Sequence, residues 1–161
     1  MSIPSERVRV SVPASVANLG AGFDCLAAAV GLRAEITLAR AGAPVVAVSG
    51  VQVPQDPSNL IYQSASAVAR TVGYDGAFEL RAYFPIPLRG GLGSSAAAIV
   101  GGVVAAARLL GAPLDPAALL DLSVRLEGHP DNVAAALHGG VVVVANCQRC
   151  SEFDPPAMLE C

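Results

Sequence analysis

The stretch PLRGGLGSSAAAIVGG, residues Pro87–Gly102, constrains this chain more than any other. Gly90, Gly91 and Gly93 stand directly before Ser94 and Ser95, and a run of small apolar residues follows. Glycine admits backbone conformations that let N–H groups approach a ligand closely. The first turn of a helix leaves its leading amides without intrahelical partners. Together these features make an anion cradle, phosphate being the usual occupant. The run behind it reads as a helix from Ser94 to Leu110, closed by Gly111 and Pro113.

The basic residues limit what kind of phosphate site this is. All ten are arginine, and the chain contains no lysine. A Walker A loop needs a lysine to reach the terminal phosphates, and Schiff-base chemistry needs one as nucleophile. Both are excluded. Gly91-Leu92-Gly93-Ser94-Ser95-Ala96 formally matches the G-x-G-x-x-A dinucleotide fingerprint. Its context does not fit. The preceding FPIPLR carries two prolines, which a central strand rejects, and the acidic residue downstream, Asp115, sits at a helix start. What remains is a loop whose serine hydroxyls and backbone amides replace lysine, or a glycine-rich helix start with no ligand.

At 161 residues the chain is one domain with room for a real core. A net charge of −3, 4% aromatic residues and no tryptophan argue against a nucleic-acid partner. Ala96–Leu110 is too short and interrupted to span a membrane, and MSIPSERVRV has no apolar signal core, so the expected location is cytoplasmic. Cys25, Cys147, Cys150 and Cys161 do not form a disulfide framework in such a domain. Cys147-Gln-Arg-Cys150 is a lone CxxC without the second pair that a zinc site requires.

Along the chain, Arg7–Val12 alternates as a half-buried strand, and Leu32, Ala34, Ile36 and Leu38 repeat the pattern. Pro44–Val48 and Ala77–Tyr83 are further strands, and Val141–Ala145 is a buried one. Ser58–Val72 reads as a helix with start signals in Asp56-Pro57-Ser58 and a stop at Gly73. Asp115-Pro116 opens another that ends near Glu127-Gly128, and His129–Asn132 begins a short one closed by Gly139-Gly140. The final residues, SEFDPPAMLEC, show no clear period. Strands early and helices late predict an α+β fold rather than a doubly wound sheet.

Two further constellations could carry chemistry. In PASVANLGAGFD, Pro13–Asp24, a strand runs into a loop where Asn18 and Asp24 could bind an ammonium or a hydroxyl. Plain turn chemistry explains the same residues equally well. In Glu127-Gly128-His129-Pro130-Asp131-Asn132, a carboxylate lies near the start of a helix. Beside a phosphate loop it could hold Mg²⁺, while Asp131 and Asn132 are also good helix caps. His129 and His138 alone read as loop and helix-end residues.

Taken together, PASVANLGAGFD, PLRGGLGSSAAA and EGHPDNVAAALHGG resemble the three ordered motifs of the GHMP small-molecule kinase superfamily, and within it the homoserine branch. The likeness spans Pro13–Gly140. It implies a two-layer α+β sandwich, a mostly antiparallel sheet with helices on one face, like the second domain of ribosomal protein S5. It further implies that residues 1–161 are an N-terminal ATP-binding lobe that phosphorylates the side-chain hydroxyl of L-homoserine in threonine biosynthesis. On that resemblance Pro87, Leu88, Arg89, Gly90, Gly91, Leu92, Gly93, Ser94, Ser95, Ala96 and Ala97 wrap ATP, and Asn59 contacts its adenine. Ser95 and Glu127 hold Mg²⁺, and Asn18, Asp24 and His129 line the homoserine site. Asn132 lies near the transferring phosphate, and Asp131 is where related kinases place a base. The partner is a small molecule, with no membrane or nucleic acid, and a homo-oligomer is left open.

Members of the superfamily are longer. Their second half brings another glycine-rich motif and substrate-binding arginines, and this sequence contains neither. Three readings follow: the catalytic lobe of a homoserine kinase that acts with its other half, a non-catalytic nucleotide-binding domain on the same lobe, or a kinase for another small alcohol.

Overall fold

The computed structural model describes residues 7–145 and 149–153. The order is β1 (Arg7–Ala17), β2 (Leu26–Ala41), β3 (Val45–Ser49), α1 (Leu60–Thr71), β4 (Ala77–Tyr83), α2 (Ser94–Leu110), α3 (Pro116–Glu127), α4 (Pro130–His138), β5 (Val141–Ala145) and β6 (Arg149–Phe153). One six-stranded sheet runs β3-β4-β2-β5-β6, with β1 on the other side of β2. Every pairing is antiparallel except β3 with β4, as an α+β sandwich of this kind requires. Cys147, and with it the CxxC pair, lies outside the described residues.

β2 organises the sheet. Its length lets it pair with β1 throughout, with β4 at its C-terminal end and with β5 at its N-terminal end. The sequence pattern predicts only its second half, because the β1–β2 register shifts where Pro13↔Arg33 is followed by Ala14↔Val30. Proline cannot donate to a ladder, so it sits at such an irregularity. The shift also changes face. Ala34, Ile36 and Leu38 are fully buried, whereas Leu32, expected to join them, is 38% exposed. β6 is the other strand that alternation did not reveal; its backbone pairs with all of β5.

The helices cover one face only. The opposite face carries exposed ion pairs, Arg9–Glu35 at 3.1 Å and Arg81–Glu79 at 2.6 Å. α2 is the central helix: twelve of its 17 residues are buried, so it is apolar around most of its circumference. Its glycines allow the close approach. A Cβ on Gly101 would collide with Ile36 of β2, and one on Gly102 with the Ile61 carbonyl of α1. The helix starts follow ordinary capping rules. Asp115 Oδ1 accepts from Ala118 N at 2.8 Å, with Pro116 at the first helical position. α1 is capped by Asn59, whose Oδ1 accepts from Ile61 N at 3.0 Å, while the predicted Asp56 closes a turn just before it by accepting from Ser58 N.

Candidate functional site

The loop between β4 and α2 has a left-handed backbone at alternate positions, with φ of +60° at Arg89, +68° at Gly91 and +58° at Gly93. Such alternation turns successive N–H groups toward one side, which makes an anion-binding concavity. Gly93 is the N-cap of α2 and no side chain caps the helix. The first helical amide with a backbone acceptor is that of Ala97, which donates to Gly93 O at 2.9 Å. The amides of Ser94, Ser95 and Ala96 are therefore directed out of the helix start. Ala96 and Ala97 bury their methyl groups in the core, so the cradle is made of backbone there.

Three distant segments hold the loop. Ser15 of β1 donates its amide to Leu92 O at 3.1 Å. Its buried hydroxyl donates to Asn132 Oδ1 at 2.9 Å and lies 3.2 Å from Asn132 O. Gly93 packs onto this junction so closely that a Cβ would collide with Ser15 Oγ. With Oδ1 engaged, the Nδ2 group of Asn132 remains to serve a ligand. Asn18, Asn132 and loop residues Leu88 to Ser95 line one open cleft of about 550 Å³.

At the edge of the cleft, the Ser95 hydroxyl donates to Glu127 Oε1 at the end of α3. Gly128, at φ +91°, turns the chain directly afterwards. Two oxygen ligands suit a hard cation such as Mg²⁺, which draws its remaining ligands from water and phosphate. Among the described residues no cluster of three or more His, Cys, Asp and Glu side chains could hold a metal by itself. The donor set fits a cation that arrives with its own oxygens.

Other predicted residues stand apart from this cleft lining. Asp24 is exposed, and its amide donates to Asn18 Oδ1 at 2.8 Å. Both residues have positive φ, +59° at Asn18 and +53° at Asp24, so turn chemistry and a ligand role are superimposed here. His129 is exposed as the N-cap of α4. Asp131 is 2% exposed, and its Oδ1 accepts from Asn132 N at 2.7 Å. It steadies the start of α4 rather than facing the cleft.

Asn59 lies in a neighbouring pocket of about 240 Å³, which shares Leu88, Ser94 and Ser95 with the cleft. Its walls are mainly apolar: Val51, Val53, Pro54, Ile61, Phe84 and Ala98. Sequence reasoning missed this pocket, and it missed Ser15. VQVP has no period that marks it as a wall, and a serine within a strand gives no sign of its partner 117 residues away.

Fold and loop define a class: a two-layer α+β lobe whose glycine–serine loop presents amides at the start of a buried helix. The profile of the GHMP kinases N terminal domain matches residues 59–140, and the chain belongs to that family. It is 44% identical over 140 residues to the homoserine kinase of Moorella thermoacetica, an overlap of 84% of this chain and 47% of that one. With the homoserine kinase of Deinococcus radiodurans it shares 42% over 166 residues, 99% of this chain and 54% of the relative. The crystal structure of homoserine kinase from Cytophaga hutchinsonii superimposes with a TM-score of 0.83 at 30% identity, covering 98% of this chain and 55% of that one. Mevalonate kinase of Methanococcus jannaschii shares the fold at 14% identity, with a TM-score of 0.76. The chain spans about half the length of these relatives. Among the described residues no helix is long and apolar enough to cross a membrane.

Proposed function

We propose that this chain is the nucleotide-binding lobe of a kinase that transfers the γ-phosphate of ATP to the side-chain hydroxyl of L-homoserine, giving O-phospho-L-homoserine. One observation carries the reading: Ser15, Leu92, Gly93 and Asn132, from three parts of the chain, lock the loop so that its free amides and the Asn132 side chain face the same cleft. The sequence likeness to homoserine kinases supports the choice of alcohol.

In this reading the amides of Ser94, Ser95 and Ala96 take phosphate oxygens at the positive end of α2. Ser95 and Glu127 hold Mg²⁺, which when bound neutralises charge on the β- and γ-phosphates. Asn132 Nδ2 donates to the transferring group. Asn18, Asp24 and His129 lie on the homoserine side, where a carboxylate suits the ammonium of an amino acid. Asp131, bonded to Asn132 N, acts by holding Asn132 in place. No base is required, since phosphoryl transfer depends on positioning and charge stabilisation.

The test combines an ATP titration with a turnover assay on L-homoserine and a panel of other small alcohols, with Mg²⁺ present. Turnover selective for homoserine is the expected result for the complete reading. ATP binding without turnover would assign the chain a nucleotide site that requires the rest of a longer enzyme, consistent with its half-length match. Absence of both would overturn the proposal.

A further inference from the structure

The pocket beside the loop has an unusual inner surface, because its polar groups are consumed by the fold. Asn59 accepts from Ile61 N at 3.0 Å and donates from Nδ2 to Pro54 O at 2.8 Å. Gln55 spans the same wall. Its Oε1 accepts from Val48 N at 2.8 Å, and its Nε2 donates to Val48 O at 2.9 Å and to Val53 O at 3.1 Å. The Ser58 amide donates to Asp56, Ser95 donates to Glu127, and the Leu60 carbonyl accepts from Ser64 at 2.7 Å. Pro54 has no N–H to offer. Toward the cavity the wall thus shows mainly the carbon surfaces of Val51, Val53, Pro54, Ile61, Phe84 and Leu88.

On the reading that the adjacent loop holds a nucleoside triphosphate, we infer that this pocket accepts the base as a flat apolar body and does not read its hydrogen-bonding edge. The phosphate donor is then any purine nucleoside triphosphate, GTP and ITP as well as ATP. A site built to hydrogen-bond one edge rejects an analogue lacking it by large factors, whereas an apolar pocket discriminates weakly between bodies of similar shape. Gln55 and Asn59 are positioning residues here: they satisfy the backbone of the wall and keep its polar atoms turned away from the base.

The experiment measures the affinities of the chain for ATP, GTP, ITP and inorganic tripolyphosphate by calorimetry at fixed Mg²⁺. The three nucleotides are expected within about tenfold of one another, and tripolyphosphate well below them. ATP tighter than GTP by more than about a hundredfold would overturn the inference and leave the phosphate loop intact. Tripolyphosphate binding as well as ATP would also overturn it, because the base would then contribute nothing. No binding by any of the four would overturn both the inference and the nucleotide reading on which it rests. The Asn59→Asp variant gives a second readout, since it keeps the acceptor for Ile61 N and loses the donor to Pro54 O. ATP and GTP affinities falling in parallel would support a positioning role; a changed ATP-to-GTP ratio would show that Asn59 reads the base, against the inference.

Discussion

The hydroxyl of Ser15 donates to Asn132 Oδ1 across 2.9 Å, joining the end of β1 to the start of α4 over 117 residues of chain. Gly93 sits against the pair with no space for a Cβ. This junction positions the loop, and it makes the site sensitive to changes that touch no ligand. Ser15→Ala leaves Asn132 Oδ1 without its partner and should cost about 1–3 kcal/mol of stability. Urea unfolding of Ser15→Ala, Asn132→Ala and the double variant should show a coupling of about 1 kcal/mol or more between the sites. Additive losses would mean that the hydrogen bond contributes nothing.

Gly91 and Gly93 should respond differently to the same substitution. Both have left-handed backbones, but the space around Gly91 is open. Gly91→Ala should therefore cost only the conformational term, about 1–2 kcal/mol. Gly93→Ala adds a collision with Ser15 and should lose more stability, together with most of the nucleotide affinity. Equal losses in denaturant titrations would show that backbone conformation alone matters.

In α2, local and tertiary effects oppose each other. Gly→Ala in a helix interior normally gains about 1 kcal/mol. Gly102→Ala should instead destabilise by about 1–3 kcal/mol, since its methyl would strike the Ile61 carbonyl, a backbone atom that cannot rotate away. A raised melting temperature would disprove the close packing of α1 on α2.

The Ser95–Glu127 contact predicts where divalent cation acts. Glu127→Gln removes the charge while keeping the shape, so it should abolish the enhancement of ATP binding by Mg²⁺ and leave the metal-free affinity within about twofold. Calorimetry with and without Mg²⁺ reads this directly. A retained Mg²⁺ enhancement would remove Glu127 from the cation site.

On the open sheet face, the Ser11 hydrogen bond holds the Glu35 carboxyl below its ordinary value of 4.5; Arg9 and Arg33 add to this, and partial desolvation opposes it. A depressed carboxyl stabilises the fold above its unfolded pKa, and that contribution fades as pH falls through the lower folded value. The stability difference between wild type and Glu35→Gln should thus be constant above about pH 4.5 and shrink below it. It should be small, because Arg9 is largely exposed. A difference that grows in acid would contradict this assignment.

Much of the architecture is local and was therefore legible in the sequence. Asp115-Pro116 and Gly128 bound α3 through capping and backbone preference, which act over a few residues. Alternation at Ala34, Ile36 and Leu38 marks the buried face of β2 because one side of the sheet meets the helices. The loop Pro87–Ser95 declared itself by its glycines, and the absence of lysine ruled out a Walker A site. Tertiary structure decided the rest. The first half of β2 lies beyond a register shift that breaks the alternation, and β6 is a strand because β5 offers it an edge. Ser15 and Asn132 meet, and Gln55 and Asn59 turn the polar atoms of a wall inward, through contacts that no local pattern encodes. Capping, turn and periodicity preferences are short-range free energies written in neighbouring residues. The shape and polarity of a pocket depend on which distant groups satisfy one another, and folding alone brings those together.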